Sequence, residues 1–391
     1  MVRILVSAQR TSSPHLVFVV SEDWYFVSHR LRLAQAAMAR GYRVTLVARF
    51  AEHRTVIEAY GVATVPLDIG RSRTNPLAAV TALKALRRVF RQLEPDIAYL
   101  VALKPVLLGT LAARLAGVGC RVNALGGLGF LFGDASVRPS QSWLRPTVRL
   151  ALRLLLGADQ TILQNQEDLQ QLRALGIDGS RLHLVPGAGV DLQHFEATPE
   201  PQADPIVITL VSRMLWEKGI GELVAAARLL RERGLAVAVR LVGRPDPDNP
   251  GSIDEEQLHA WSAEGVVAWR GFAADVPRVW AESHIAVLPS YYREGLPKAL
   301  LEAAASGRPI VTTDLPGCRD AIVDGETGLL VPPRDPEALA LALERLVRDP
   351  ELRRAMGRRA REDAEARFSD VVLNAAILDL CDRCLQRGEP R

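Results

Sequence analysis

Short apolar runs alternate with segments of helical periodicity along almost the whole chain. Each run of four to six apolar residues between turn residues predicts a strand buried on both faces, and the alternation predicts an α/β fold with parallel sheets. The first half contains predicted strands at residues 15–20, 43–47, 62–65, 96–101, 120–125, 159–163 and 183–185, and predicted helices at 28–40, 75–93, 105–116, 142–156 and 167–175. The second half continues the alternation, with predicted strands at 206–211, 237–242, 266–269, 284–288, 309–312 and 328–331, and closing helices at 336–348, 351–368 and 370–385.

A segment rich in proline and acidic residues, 196–205, separates the two halves of the pattern. Since 391 residues exceed what one ordinary core holds, we expect two domains. The N-terminal Rossmann-like domain is predicted at residues 1–195 and the C-terminal one at residues 196–368. Two such domains leave a cleft between the carboxyl edges of their sheets, which is where small molecules bind.

The charge balance differs between the halves. Residues 1–195 carry 23 Lys and Arg against 13 Asp and Glu, whereas residues 196–391 carry 25 against 32. A basic first half indicates an anionic membrane surface or a lipid diphosphate as partner. Nucleic acid is the competing interpretation, and no nucleic-acid-binding motif supports it.

An apolar content of 48%, with no signal peptide and no long apolar run, predicts a soluble cytoplasmic protein. The four cysteines are expected to be free thiols.

Two carboxylates mark a strand–loop–helix unit in the second half. Glu294 lies in the loop after the predicted strand 284–288, and Glu302 lies about two turns inside the helix that Pro297 opens. The N–H groups at the start of that helix, including those of Gly295 and Leu296, favour an anion. Carboxylates accept hydrogen bonds from sugar hydroxyls, so the unit predicts a nucleotide-sugar site.

A second unit supports the same chemistry. The predicted strand 206–211 ends in the sequence SRMLWEKG, which places Arg213 and Lys218 in the turn before a helix near Gly219. Two cations at the carboxyl end of a parallel strand can neutralise a diphosphate.

Together these residues resemble the retaining glycosyltransferases of family 4, which have the GT-B fold. The resemblance rests on the pair Glu294 and Glu302 with seven residues between them, on the S-R-x4-K-G turn, and on residues 184–195 and 312–335. It covers all but about the first fourteen residues. Residues 22–36 and 162–172 resemble bacterial members that add a sugar to a polyprenyl-diphosphate-linked acceptor. The resemblance also implies that a terminal helix, about 369–391, crosses back onto the first domain.

The resemblance assigns the donor site. Arg213 and Lys218 are expected to hold the donor diphosphate, Glu294 the hexose hydroxyls and Glu302 the ribose hydroxyls. The strand ends at Gly243 and Arg270 are expected to hold the nucleobase. No protein nucleophile and no cofactor are implied. Asp246 and Asp248 resemble a D-x-D metal motif, but they lie in a proline-rich turn, and we expect no metal.

The acceptor side is predicted in the first half. The glycine-rich run 123–133, which includes Gly127, lets a ligand approach the backbone closely, although it lacks the histidine that many family members carry there. The loop after the first strand holds Asp23, followed by His29 and Arg30 at the start of the predicted helix 28–40. An acidic, aromatic loop suits an acceptor sugar, and a neutral His29 could take the proton of the attacking hydroxyl; a structural hydrogen bond is the alternative role for His29.

The sequence therefore predicts a metal-independent retaining glycosyltransferase at the inner face of the cell membrane. It moves a hexose or N-acetylhexosamine from a UDP-sugar to a lipid-linked or saccharide acceptor in surface polysaccharide assembly. A UDP-sugar 2-epimerase with the GT-B fold and a non-catalytic nucleotide-sugar-binding protein are the alternatives. The donor sugar, the linkage and the oligomeric state do not follow from the sequence.

Overall fold

A computed structural model describes residues 13–69, 76–128, 145–202 and 204–388. The strands are β1 His15–Glu22, β2 Arg43–Arg49, β3 Ala63–Pro66, β4 Ile97–Val101, β5 Cys120–Leu125, β6 Gln160–Leu163, β7 Leu182–Leu184, β8 Ile206–Val211, β9 Val237–Val242, β10 Ala268–Trp269, β11 Ile285–Leu288, β12 Ile310–Thr313 and β13 Gly328–Val331. The helices are α1 Asp23–His29, α2 Leu31–Ala39, α3 Arg54–Ala59, α4 Pro76–Leu93, α5 Leu103–Ala116, α6 Arg145–Leu156, α7 Gln166–Ala174, α8 Ile220–Glu232, α9 Glu255–Ala263, α10 Val276–Ala281, α11 Lys298–Ala305, α12 Pro336–Arg348, α13 Pro350–Arg367 and α14 Asp370–Gly388.

The strands form two sheets with the same kind of strand order. The first sheet has the order β3-β2-β1-β4-β5-β6-β7 and the second β10-β9-β8-β11-β12-β13. Every pairing whose register the structure describes is parallel. In each sheet the chain changes direction of winding between two central strands, β1 and β4 in the first and β8 and β11 in the second. Such a switch point opens a crevice at the carboxyl edge of the sheet, where α/β proteins bind ligands.

The chain divides into two compact units. The first comprises the described parts of residues 1–124, 155–161 and 375–391, and the second those of 125–154 and 162–374. In the first unit an aromatic cluster of Phe18, Phe26 and Tyr99 lies in the core. In the second unit, fully buried strands such as β11 and β12 pack on the apolar faces of α8, α11 and α12. The predicted domain boundaries at residues 195 and 368 stay a prediction.

The start of the first helix differs from the prediction. Residues 22–27 were expected to form a loop, but α1 begins at Asp23 directly after β1, and Arg30 lies between α1 and α2. The aromatic and β-branched residues of α1 have low helix propensity, so the sequence pattern alone did not show it. The side chain of Asp23 supplies the missing stabilisation. Its carboxylate is fully buried and accepts hydrogen bonds from the backbone N–H groups of Trp24 (2.8 Å), Ala51 (2.8 Å) and His53 (2.9 Å).

Two of the four cysteines correct the expectation of free thiols. Cys120 at the start of β5 and Cys384 in α14 form a disulfide within the first unit, with their Cα atoms 5.6 Å apart. Cys318 and Cys381 are free and buried. Because the two bonded residues are separated by 264 positions, no local spacing in the sequence pointed to the pair.

Some predicted features lie outside the described residues. They are residues 1–12, residues 129–133 of the glycine-rich run, residue 75 of the helix predicted at 75–93, residues 142–144 of the helix predicted at 142–156, and residues 389–391 of the terminal helix. Within the described parts of the chain, no helix is both long enough and apolar enough to cross a lipid bilayer.

Candidate functional site

Lys218 and Glu294 meet at the carboxyl edge of the second sheet. Lys218 ends the short turn after β8, and Glu294 lies in the loop after β11, the strand beside β8. Their side chains form a half-buried ion pair, with Lys218 Nζ 2.5 Å from Glu294 Oε1. Gly219 makes this approach possible, because a Cβ atom there would lie 2.0 Å from the carbonyl oxygen of Pro289. A partly buried cation beside a carboxylate suits a ligand that carries both phosphate and hydroxyl groups.

Arg213 lies in the same turn but has a different partner. Its guanidinium pairs with Asp246, in the loop after β9, and the arginine remains about one-third exposed. The structure therefore assigns one acid of the D-x-D-like sequence to an arginine. Among the residues described, no group of three His, Cys, Asp or Glu side chains is arranged to hold a metal ion.

The loop at Gly295 is in close contact with other backbone. A Cβ atom on Gly295 would lie 1.9 Å from the carbonyl oxygen of Gly126 and 2.1 Å from Gln164 Oε1, so no side chain fits there. A Cβ on Gly127 would lie 2.7 Å from the nitrogen of Gly295. The N–H of Leu296 donates to Gln164 Oε1 over 3.0 Å. The structure thus brings the predicted residue Gly127 beside the loop that carries Glu294 and Gly295. The N–H of Leu296, which was predicted to contact the UDP-sugar, already donates a hydrogen bond to a protein side chain.

Glu302 is buried in α11 among apolar neighbours that include Leu300 and Leu301. Its Oε1 atom lies 2.8 Å from Lys298 Nζ, one turn earlier on the same helix. A buried carboxylate needs donors, and this lysine supplies one. A ribose hydroxyl at Glu302 remains a prediction.

At the strand ends predicted to hold the nucleobase, several backbone N–H and C=O groups already have hydrogen-bond partners in the protein. The N–H of Gly243 donates to the Gly271 carbonyl over 2.7 Å, and its carbonyl accepts from Trp269 Nε1 over 2.8 Å. The N–H of Arg270 donates to Leu241 over 2.9 Å. An exposed stack of Arg244 on the ring of Phe272, 4.5 Å from its centre, lies at the same two strand ends. A base can stack on such an aromatic face, which the sequence analysis did not single out.

Two sets of supporting residues were missed. Ser290, fully buried, orients Glu294 through a hydroxyl hydrogen bond of 2.9 Å to Oε1. Arg293 lies 2.8 Å from Glu167 and 3.4 Å from Asp168 at the start of α7. Burial raises the pKa of Asp168, although hydrogen bonds from Asn165 and Leu128 oppose the rise. The polar run 164–168 directly after a buried strand was the available signal.

The acceptor-side residues Asp23, His29 and Arg30 belong to the first unit. Burial alone raises the pKa of Asp23, but backbone donors at His53, Ala51 and Trp24 outweigh it and hold the pKa below its usual value. Asp23 therefore serves the local fold, which corrects the expectation that it faces an acceptor. His29 stacks on Tyr25, with ring centres 4.2 Å apart, and its Nδ1 lies 2.5 Å from the hydroxyl of Ser28.

Arg30 is the unusual member of this group. Only 3% of its surface is exposed, and no carboxylate pairs with it among the residues that the structure describes. Its guanidinium lies 6.0 Å from the centre of the Tyr99 ring, and its buried Nε has no hydrogen-bond partner in the described parts of the chain. An arginine stays charged inside a protein, so Arg30 is a buried cation that no carboxylate of the described residues compensates.

Comparisons with known families agree with this arrangement. Residues 15–165 match the family described as "Glycosyl transferase 4-like", and residues 205–349 match "Glycosyl transferases group 1". The two matches fall in the two halves of the chain and include Arg30, Arg213, Lys218, Glu294 and Glu302.

Two similar proteins each align with more than two thirds of the chain. An N,N'-diacetylbacillosaminyl-diphospho-undecaprenol alpha-1,3-N-acetylgalactosaminyltransferase of Campylobacter jejuni is 26% identical, over 91% of this chain and 95% of its own length. A UDP-Gal:alpha-D-GlcNAc-diphosphoundecaprenol alpha-1,3-galactosyltransferase of Escherichia coli is 25% identical, over 68% of this chain and 70% of its own.

Solved structures share the fold. A sucrose-phosphate synthase of Thermosynechococcus elongatus superposes with a TM-score of 0.79, at 21% identity and over 96% of this chain and 100% of that one. HepE of Anabaena, solved with UDP and glucose, has a TM-score of 0.74 at 19% identity, over 94% of this chain and 99% of that one. The predicted GT-B fold is thereby confirmed.

Proposed function

We propose that this chain, which belongs to the family 4 glycosyltransferases, transfers an N-acetylhexosamine or hexose from a UDP-sugar to a diphospholipid-linked saccharide. The observation that carries the proposal is the alignment of nine-tenths of the chain with a transferase whose name specifies a diphospho-undecaprenol acceptor. The name of the second relative specifies both a UDP-linked donor and a lipid-linked acceptor. Surface polysaccharide assembly uses acceptors of this class.

The donor is held by the groups at the carboxyl edge of the second sheet. Lys218 and Arg213 contact the diphosphate, and Glu294 accepts hydrogen bonds from the sugar hydroxyls. The bond between the anomeric carbon and the diphosphate breaks as the acceptor hydroxyl attacks from the same face. The hydroxyl proton passes to the leaving phosphate oxygen. Because attack and departure occur on the same face, the configuration is retained without a protein nucleophile. The two cations offset the negative charge that develops on the leaving group.

The acceptor diphosphate is assigned to Arg30. A buried guanidinium without a carboxylate partner is costly for the fold, and an anionic ligand removes that cost on binding. A diphosphate also accepts the paired N–H donors of a guanidinium. His29, next to Arg30, stays a candidate for contact with the attacking hydroxyl.

The function is tested by supplying purified protein with UDP-N-acetylgalactosamine, UDP-galactose or UDP-glucose and a short-chain polyprenyl diphosphate saccharide. The expected product is the acceptor extended by one α-linked sugar. An epimerised UDP-sugar formed without acceptor would favour the epimerase alternative. Donor binding with neither product would favour a non-catalytic binding protein.

We expect transfer to continue in the presence of EDTA. The diphosphate charge is met by Arg213 and Lys218, and Asp246 is already paired with Arg213, so the D-x-D-like sequence is not free to hold a metal between protein and donor. The measurement is the initial rate with and without an excess of EDTA, which removes a bound metal. A loss of activity that added Mg²⁺ or Mn²⁺ restores would assign Asp246 and Asp248 to a metal site.

A membrane-facing helix is proposed at α6. The spacing of Arg145, Arg149 and Arg153 at intervals of four predicts one basic side, and in the structure Arg153 is exposed whereas Arg145 and Arg149 are half-buried. The exposed side also carries Leu150 (58% exposed) and Leu154 (66%). Two exposed leucines on one helix can insert into the boundary of a bilayer.

The expected result is that the double substitution Leu150→Ser/Leu154→Ser weakens binding to phosphatidylglycerol vesicles by about tenfold or more, since each leucine contributes apolar burial. Vesicle co-sedimentation measures the effect. The matched control is Leu341→Ser, which removes a leucine with similar exposure (55%) from α12. Equal pelleting of the double variant and the control would contradict the proposed face.

A further inference from the structure

A cavity lies at the amino edge of the second sheet, which is the edge opposite the predicted donor site. It has a volume of about 480 Å³ and is lined by residues 197–202, which precede β8, by residues at the amino ends of β11 and β12, and by one side of α13. Because β8 is six residues long, this edge is about 20 Å from the turn that carries Arg213. The cavity therefore does not belong to the donor site, although its size is that of a small-molecule site.

The inner wall of the cavity is built from arginines whose donors are already used. Arg308 is 2% exposed and donates to the carbonyl groups of Trp280 (2.9 Å) and Thr198 (3.0 Å). Arg353 is paired with Glu200 and donates to the Leu346 carbonyl over 2.8 Å. These contacts fix residues 198–200 against the sheet. They give the cavity a rigid wall of defined shape and leave Glu200 neutralised.

Two further arginines line the cavity without partners. Arg354 and Arg358 are exposed, and neither has an ion pair or hydrogen bond among the residues that the structure describes. They lie one turn apart on α13, where like charges repel. Of the two carboxylates that line the cavity, Glu200 is paired with Arg353, which leaves the exposed Glu362.

We propose that this cavity binds a small soluble phosphorylated molecule, which Arg354 and Arg358 contact directly. Five arginines and two glutamates line the cavity, and Arg361 is also paired with Glu365 outside it, so positive charge exceeds negative charge by two. His284 adds no charge near neutral pH, because burial lowers its pKa and its Nδ1 accepts a hydrogen bond from the Val207 N–H. An anion with at least two charges fits this excess, and two guanidinium groups one turn apart can each pair with phosphate oxygens.

A soluble ligand is favoured over the headgroup of a membrane lipid. None of the large exposed apolar side chains identified in the described residues lines this cavity. Basic residues can attract a lipid headgroup without apolar neighbours, but a concave cavity of about 480 Å³ has the shape of a small-molecule site rather than of a membrane contact. The ligand class is therefore a free organic phosphate or diphosphate.

The test is calorimetric titration of the full chain with pyrophosphate, in the presence of saturating UDP so that the donor site is filled. With the Arg30→Met substitution in every variant, so that the proposed acceptor position is removed, we expect one site for pyrophosphate and at least a tenfold weaker Kd when Arg354→Ala/Arg358→Ala is added. The matched control is Arg359→Ala, which removes an exposed arginine of α13 that does not line the cavity. Because both altered side chains are exposed, the fold should be retained. An unchanged Kd for UDP in the double variant would show that it is.

The outcomes separate this site from the donor site. Unchanged pyrophosphate affinity in the double variant, or an equal loss in Arg359→Ala, would overturn the proposal. So would the absence of any pyrophosphate binding once UDP is saturating, since binding would then belong to the donor site. Vesicles of phosphatidylglycerol that compete with pyrophosphate more strongly than glycerol phosphate does would instead indicate a lipid headgroup and also overturn it. None of these results depends on sugar transfer.

Discussion

Replacement of Arg213 by alanine is expected to lower the turnover number about 100- to 1000-fold, with a smaller loss of affinity for the UDP-sugar. Charge on the diphosphate increases as its bond to the sugar breaks, so a cation in contact with it stabilises the transition state more than the bound substrate. Removal of one such donor typically costs about 2.7–4 kcal/mol of activation free energy. Steady-state kinetics give the turnover number, and calorimetric titration gives the Kd of the donor.

The control for this prediction is Arg228→Ala. Arg228 lies on α8 in the same unit, in an exposed pair with Glu264 (2.7 Å), and exposed pairs contribute little to stability. It should leave both constants unchanged. Near-normal turnover in Arg213→Ala would remove Arg213 from the mechanism. An equal loss of affinity and turnover would assign it to donor binding alone.

Replacement of Arg30 by methionine is expected to abolish most transfer while leaving the fold intact or more stable. Methionine fills a similar volume beside Tyr99 without the cost of an unpaired buried cation, so the free energy of unfolding should rise by about 1 kcal/mol or more. The acceptor loses its diphosphate partner, and kcat/KM for the acceptor should fall by about 100-fold, as for a charge-assisted contact of 2–3 kcal/mol. Donor affinity should not change.

Urea denaturation and acceptor-dependent kinetics measure the two effects separately. Arg32→Met is the control, because Arg32 is the exposed arginine two positions further on. A destabilised Arg30→Met variant would indicate a structural role for the guanidinium through the Tyr99 ring. Unchanged kinetics with the acceptor would contradict the assignment of Arg30, whatever the stability.

The sequence by itself determined the class of fold and predicted the chemistry of a donor site. Apolar runs predict strands, and strands β8, β9 and β13 have the predicted bounds, because their residues are mostly apolar and turn residues flank them. The placement of Lys218 and Glu294 at one edge followed from parallel topology, since the loops after neighbouring parallel strands emerge on the same side. Helix α12 was predicted with its bounds because Asp335, Pro336 and the apolar period mark it locally.

Only the tertiary structure decided which partners the charged side chains take. The pairing of Arg213 with Asp246, the uncompensated burial of Arg30 and the saturation of Asp23 by backbone N–H groups join positions far apart in the chain. The same holds for the Cys120–Cys384 disulfide and for the arginine-lined cavity. A local pattern encodes periodicity and turn chemistry, whereas ion pairing, burial and cavity shape depend on which distant segments pack together. Composition could therefore indicate that a charge is present, but only the packing determined whether that charge is satisfied.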